Sequence, residues 1–363
     1  MRQASPNRFV SAARSKWFLT PVAIALASRL FSTIVLAISA PPGTDLLGTH
    51  GPFAAWDSAW YLAIAHSGYH AAPTQEATGG TDHHDFAFYP GWPVLIRVAA
   101  LGGVLPFIVT GLVLANLVFV LAAVAVYALL RDRFNERTAL WGTLLLAFNP
   151  ASYVFSMIYS EGLFVLIVAL YFLNRYGRAS PLLAGLSMLA RIGGLAVGAS
   201  AAVMLVFNRA PRTRLFLIGA AVGVVFAAWW LYLWWLTGRF DGWLIGSTGW
   251  DQYDGIASIV TQFKMHPTRE LLRVGFIALM IVGCLLMLRR HLDMAVFGLV
   301  AIALSLIGAP AWSMPRHAMV AFPAFGALAD RLGPRLSALL VVAFAVGEVA
   351  FVGFAFGVAR QPP

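Results

Sequence analysis

Trp17-Phe-Leu-Thr-Pro-Val-Ala-Ile-Ala-Leu-Ala-Ser-Arg-Leu-Phe-Ser-Thr-Ile-Val-Leu-Ala-Ile-Ser-Ala40 is an apolar run long enough, at about 1.5 Å per residue, to cross a hydrocarbon core of about 30 Å. A basic region precedes it and Pro-Pro-Gly follows, with no evident small-x-small cleavage site. It is longer than a signal-peptide core and reads as a retained first span. The rest of the chain agrees in kind. Its 363 residues are 60% hydrophobic and only 11% charged, and the mean hydropathy is +0.79. No soluble surface tolerates that composition, so the chain is an all-α polytopic membrane protein.

The formal charge of +10 is almost all arginine, since Lys stands only at positions 16 and 264. Charge spread over short loops orients helices in a bilayer and gives no case for a nucleic-acid partner. Cys284 is the one cysteine, lies in an apolar run and reads as packing.

Arginine clusters set the expected orientation, because cytoplasmic loops are enriched in them. Arg2, Arg8, Arg14 and Lys16 put the N-terminus in the cytoplasm, and Arg131, Arg133 and Arg137 mark the return of a second crossing over about 104–130. Asn149-Pro150 and Ser160-Glu161-Gly162 interrupt the next run, so two crossings with an outer turn are expected there. Basic clusters at Arg175/Arg178 and Arg209/Arg212/Arg214 flank a stretch that suits two short helices with an apex at Arg191-Ile192-Gly193-Gly194. Further crossings are expected at 215–237, 270–288, 294–310, 318–330 and 336–358. About eleven spans result. We expect one domain over 1–363, with a first outer loop at about 41–103 and a second at about 238–269. Interfacial helices are expected within the first.

On this topology most carboxylates face outside. In the first loop, Asp57 is flanked by Trp56, Trp60 and Tyr61, flat rings on which sugars stack, and a carboxylate among them is suited to deprotonating a hydroxyl. The plainer reading is an interfacial helix cap or the partner of an outer arginine. Arg191 and Arg316 stand at outer breaks between apolar segments, where guanidinium binds phosphate oxygens or snorkels to headgroups. Arg97 ends the segment that starts at Tyr89, and either binds substrate or holds that helix at the interface. Glu161, accompanied by Tyr159 and Ser160, is a site candidate or the cap of the helix it opens. Asp82-His83-His84-Asp85 looks like metal chemistry but lacks the i, i+4 spacing of paired ligands on a helix, so a solvated loop or acceptor-binding groups is preferred. No cofactor is required by the sequence, and a divalent metal is the lesser reading. Trp250-Asp251-Gln252-Tyr253-Asp254 suits sugar hydroxyls and an interfacial aromatic belt equally.

The order of these pieces resembles the PIG-V-type mannosyltransferases, within the GT-C superfamily of membrane glycosyltransferases. The pieces are Trp56-Asp57-Ser-Ala-Trp60-Tyr61 with Gly68-Tyr69; Phe86-Ala-Phe88-Tyr89-Pro90 with Trp-Pro93 and Arg97; Asn149-Pro150 with Tyr159-Ser160-Glu161; Ala190-Arg191 with Gly193-Gly194; and Met314-Pro315-Arg316-His317 with Phe322-Pro323. The family usually shows Pro-Leu-Tyr-Pro where this chain has Pro90-Gly91-Trp92-Pro93, and Tyr in place of His317.

The resemblance implies a GT-C-like helix bundle that moves a sugar, mannose by family, from a polyprenyl-phosphate donor to a lipid or glycan acceptor. Transfer would occur at the extracytoplasmic face with inversion, Asp57 taking the place of the first-loop catalytic base. Substrate contacts are then expected from Trp56, Trp60, Tyr61, Tyr89, Arg97, Glu161, Arg191, Arg316 and His317. The arginine- and alanine-rich composition and the brevity of the chain point to a bacterial plasma membrane. A secondary transporter or a noncatalytic lipid-binding subunit would share the topology. The transporter should show repeated halves and polar groups near mid-span, and the binding subunit has no need of Asp57.

Overall fold

The computed structural model describes residues 16–48, 51–71, 84–242, 255–308 and 313–356. Among these residues the chain is helical, with short 3-10 turns and no strand. Helix α1 spans Lys16–Ser39 and is the expected first crossing. Leu26, Leu30, Ile34 and Ile38 form an exposed i+4 stripe on it, while Ala25, Ser28, Ser32 and Leu36 are buried. That division suits a helix with one face to lipid and one to protein.

The first outer loop contains α2 (Asp57–Ser67) and α3 (Gly91–Ala99), as its helical spacing suggested. Next come α4 (Phe107–Arg133), α5 (Glu136–Ala147), a 3-10 turn at Ser152–Ser156, and α6 (Glu161–Leu173). Asn135 starts α5 by accepting a hydrogen bond from the Thr138 amide at 2.9 Å, a side-chain N-cap. Then α7 (Ser180–Ala190) and α8 (Gly194–Val206) form a hairpin with its break at Arg191, where the sequence places it. The turn is tight: a side chain at Gly194 would sit 2.5 Å from the backbone of Met188.

The remainder is α9 (Arg212–Thr237), α10 (Gly255–Met265), α11 (Pro267–Met287), α12 (Leu292–Gly308), α13 (Met314–Ala318) and α14 (Pro323–Phe356). The two crossings expected after residue 318 are joined in α14, which is broken at Gly333 (φ 70°, ψ 176°) ahead of Pro334. Only glycine adopts that conformation readily.

Five helices, α1, α4, α9, α11 and α14, are long and apolar enough to cross a membrane, and α6, α7, α8 and α12 are shorter apolar helices. The other expected crossings fall on these shorter helices. Helices α7 and α8 have 11 and 13 residues, which is roughly 16–20 Å of rise against a core of about 30 Å. At that length neither helix spans the core alone.

Helix α4 packs on α6, α14 on α5 and α11, and α9 on α7 and α8. Lipid tails are as apolar as leucine, so close van der Waals approach must hold these contacts together. Gly142 on α5 faces the backbone of Gly326 on α14, and Gly283 on α11 faces Ala324 at distances no larger side chain would allow.

The two ends of the bundle differ in charge. At one, Arg133 pairs with Asp293 at 3.2 Å, Arg175 with Asp132, and Thr138 donates to Asp330 at 3.2 Å. These are the loops that the arginine clusters assign to one side of the membrane. The site described next lies at the opposite end of α4, α6 and α7.

Candidate active site

Asp57 is the first residue of α2, a placement that suits a carboxylate near free helical amides. Trp56, immediately before it, has φ 53°, a left-handed conformation costly for a large non-glycine residue. Such strain survives only where the surroundings over-determine it, and it gathers at functional sites. The Trp56 ring packs on Phe356 at 4.6 Å, so the end of α14 helps to hold it.

Across the bundle, α13 presents Arg316, whose Nη1 donates to Asp57 Oδ2 at 2.5 Å. The same Nη1 lies 3.8 Å from Glu161 Oε1, and the guanidinium carbon sits 5.0 Å from the centre of the Tyr159 ring. Glu161 opens α6 and is fully buried. Arg191, at the α7–α8 apex, faces Glu161 Oε1 at 2.6 Å as an ion pair. It also donates to Ser160 Oγ at 3.0 Å and through Nη2 to His317 Nδ1 at 2.8 Å. Tyr61 joins through its hydroxyl, 2.7 Å from Ser160 Oγ. Four segments distant in sequence therefore close one polar cluster.

Its electrostatics follow from burial. Burial disfavours the Arg316 charge, but Asp57, Tyr159 and Glu161 outweigh that and hold it above its ordinary pKa. Burial, then the charges of Arg316 and Arg191, push His317 well below the ordinary imidazole value of 6.5, so the ring is neutral and Nδ1 accepts. Burial raises Tyr61, which stays protonated. Two carboxylates face two guanidiniums, and the cluster is neutral as a whole. A neutral, hydrogen-bonded cluster avoids much of the cost of burying each ion alone. It can hold a carboxylate ready as a base beside cations able to turn toward an incoming anion.

Of the expected site residues, the structure brings together Asp57, Tyr61, Glu161, Arg191, Arg316 and His317, and leaves others apart. Trp60 is 1% exposed and stacked on Phe88 at 5.7 Å, so its ring is core packing and offers no open face to a sugar. Tyr89 is likewise buried, against Trp229 at 5.6 Å. Arg97 donates from Nη1 to the carbonyls of Ala65 and His66, both at 2.8 Å. It ties the C-terminal end of α2 down, where the sequence had offered substrate binding or anchoring of its own helix at the interface.

Asp82, His83 and Trp250 to Asp254 lie outside the described residues. Asp85 is buried and takes bonds from the His70 amide at 3.0 Å and the His70 ring at 3.1 Å. Burial raises its pKa and His70 opposes the rise. His84 stacks on Phe86 at 5.1 Å. Among the described residues no three His, Cys, Asp or Glu side chains gather as metal ligands.

Two polar groups escaped the sequence reading. Arg29 in α1 and Glu348 in α14 are both buried, and both bond to Ser152. Arg269, Glu270 and Arg273 are buried together at the start of α11. An ionisable residue inside a span is itself a functional signal, and that rule applied to Arg29 and Glu348 would have found the first pair.

Comparison with known proteins bears on the family and the fold. Residues 31–208, just under half of the chain, match the family Mannosyltransferase (PIG-V). That segment carries Asp57, Glu161 and Arg191. That stretch is similar to the PIG-V mannosyltransferases. A GPI mannosyltransferase 2 of Drosophila pseudoobscura pseudoobscura is 33% identical over 119 residues, 30% of this chain and 24% of that relative. The matched part thus spans about a quarter of the curated relative. Among solved structures, ArnT from Cupriavidus metallidurans bound to undecaprenyl phosphate has TM-score 0.54 at 16% identity, covering 91% of this chain and 63% of that one. The Archaeoglobus fulgidus oligosaccharyltransferase has TM-score 0.54 at 15% identity, covering 94% and 56%. At such identities the likeness is one of fold.

Proposed function

We propose that this chain is a membrane glycosyltransferase that moves a hexose, mannose by family, from a polyprenyl-phosphate donor to a hydroxyl of a lipid or glycan acceptor. The observation that supports it most is the Asp57–Arg316 contact of 2.5 Å inside a buried cluster that also holds Glu161 and Arg191. In the free protein Arg316 occupies the carboxylate that has to accept a proton. A donor phosphate gives the guanidinium a second anion and releases a carboxylate oxygen toward the acceptor hydroxyl.

Asp57 then takes the hydroxyl proton as the oxygen attacks the anomeric carbon from the face opposite the phosphate. The bond from carbon to the phosphate oxygen breaks, its electron pair leaves on the polyprenyl phosphate, and the configuration inverts. Because the leaving group is already a phosphate, one base is sufficient, unlike the paired carboxylates of glycoside hydrolysis. The site faces the extracytoplasmic side in this reading, since the arginine-rich loops lie at the other end. A metal is no part of the step as proposed.

Purified Asp57→Asn, given undecaprenyl-phosphate mannose and a lipid acceptor, should lose transfer by about 10²–10⁴-fold, the usual worth of a positioned base. Turnover at the unsubstituted rate would remove Asp57 from that role. Solute uptake by proteoliposomes without any sugar transfer would favour a transporter instead.

A further inference from the structure

Tyr159 lies within the cluster, and the transfer step described above uses no atom of it. It is 2% exposed, and among the described residues its buried hydroxyl has no hydrogen-bond partner. Buried polar groups are normally paired, so an exception calls for a reason. Two nearby tyrosines follow the norm. The Tyr61 hydroxyl meets Ser160 Oγ at 2.7 Å, and the Tyr69 hydroxyl donates to the Phe88 carbonyl, also at 2.7 Å. The Tyr171 hydroxyl is likewise unpaired among the described residues, but the charges acting on it are Asp293 and Arg133, at the other end of the bundle.

The surroundings of the Tyr159 hydroxyl are charged. Asp57 acts on it more strongly than Arg316 or Glu161 does. The Arg316 guanidinium carbon sits 5.0 Å from the centre of the Tyr159 ring, while Arg316 Nη1 donates to Asp57 Oδ2 at 2.5 Å. Asp57 is thus bonded to the arginine over the ring and not to the ring's own hydroxyl.

Binding of a donor changes that balance. Once Arg316 turns to a phosphate, Asp57 loses its counter-charge inside the protein. A carboxylate left alone there is prone to take up a proton, and a protonated carboxyl is no base. A hydroxyl that donates to the released oxygen keeps the group ionised and fixes its direction.

Resting on the transfer reading above, we infer that Tyr159 is a positioning residue for Asp57: its O–H replaces Arg316 on Oδ2 when the arginine turns away, and leaves Oδ1 for the acceptor hydroxyl. The unpaired hydroxyl of the free protein is the state before that exchange. Tyr159 touches no reacting atom and acts through Asp57.

Tyr159→Phe removes one oxygen and tests this in the full chain in detergent, with saturating undecaprenyl-phosphate mannose and lipid acceptor. The pH dependence of kcat reports groups in the loaded protein, and that of kcat/KM groups in the free one. The variant should lose kcat by about 10–100-fold, the effect of one hydrogen bond to a charged group. The acid limb of its kcat profile should move to higher pH, because a carboxylate without that donor protonates more readily. The acid limb of kcat/KM should stay in place, since the free protein has no Tyr159–Asp57 bond to lose. For the same reason Tm should not fall. Arg316, Arg191, Glu161, Tyr61 and His317 belong to the same cluster, and their charges are common to both proteins. A difference between the two profiles therefore belongs to the phenol.

An unchanged kcat profile, an equal shift of both limbs or a lowered Tm would overturn the exchange. Such a result leaves the transfer reading standing while Asp57→Asn is inactive. Asp57→Asn working at the natural rate removes both.

Discussion

At the scale of single residues, His317 shows how position sets protonation. It accepts from Arg191 at Nδ1, at 2.8 Å, and burial holds it well below the ordinary value of 6.5. The unfolded chain takes up a proton near pH 6.5 that the folded chain refuses. Folded-state stability is then complete above that pH and declines as pH falls through it, by at most about 1.4 kcal/mol per unit for one proton. Thermal unfolding at pH 7.5 and 5.5 should show a larger loss of Tm on acidification for the natural chain than for His317→Gln, which keeps an acceptor and cannot titrate. Equal losses would clear His317 of that part. The sequence placed this residue in the site through its family pattern, but its neutral state was not legible there. Neutrality arises first from burial and then from two arginines, one of which is its sequence neighbour while the other is 126 positions away.

At the scale of elements, the short helices were legible because helix breakers are local. Asn149-Pro150, Gly193-Gly194 and the arginines beyond each end mark where α5, α7 and α8 must stop. The merger of the last two crossings into α14 was less so, since Gly333-Pro334 reads as a loop but keeps the axis going. Arg97 shows the limit at this scale. Its segment was placed correctly, yet the sequence could not say whether the guanidinium turned to substrate or to α2. The structure sends it to the carbonyls of Ala65 and His66. Arg97→Ala should cost about 1–2 kcal/mol of stability, the loss of charged bonds to helix-end carbonyls, with transfer per folded molecule retained. Thermal unfolding paired with turnover checks it. Lost turnover at an unchanged Tm would return Arg97 to the site.

At the scale of the whole molecule, the first and last long helices are fastened to the segment that carries the site. Arg29 on α1 donates to Ser152 O at 2.8 Å, Ser156 Oγ at 3.0 Å and Ala147 O at 3.2 Å. Glu348 on α14 accepts from Ser32 Oγ at 2.5 Å and Ser152 Oγ at 2.8 Å. The turn they grip, Ser152–Ser156, leads directly into Tyr159, Ser160 and Glu161. Polar groups inside spans are also what the transporter alternative expects, but these are closed by bonds to neighbouring serines and backbone. Glu348→Ala leaves Arg29 buried without its counter-charge and should cost about 3–5 kcal/mol, whereas Arg29→Met with Glu348→Met should recover most of it. Unfolding of both variants in detergent measures this. A Glu348→Ala protein as stable as the natural chain would show that the fastening carries little.

The sequence by itself determined the class, the order of the helices, the pair of short helices with its break at Arg191 and the candidacy of Asp57. Each rests on a local property: the length of an apolar run, a helix breaker, a carboxylate among aromatic rings. Only the tertiary structure decided which charges meet. Asp57 and Arg316 are 259 positions apart, and an ion pair between them depends on how α2 and α13 pack, which no local pattern encodes. The same packing balanced the Asp57 cluster and turned Trp60 inward. Burial makes each of those arrangements matter, because a charge out of water must find its partner in three dimensions.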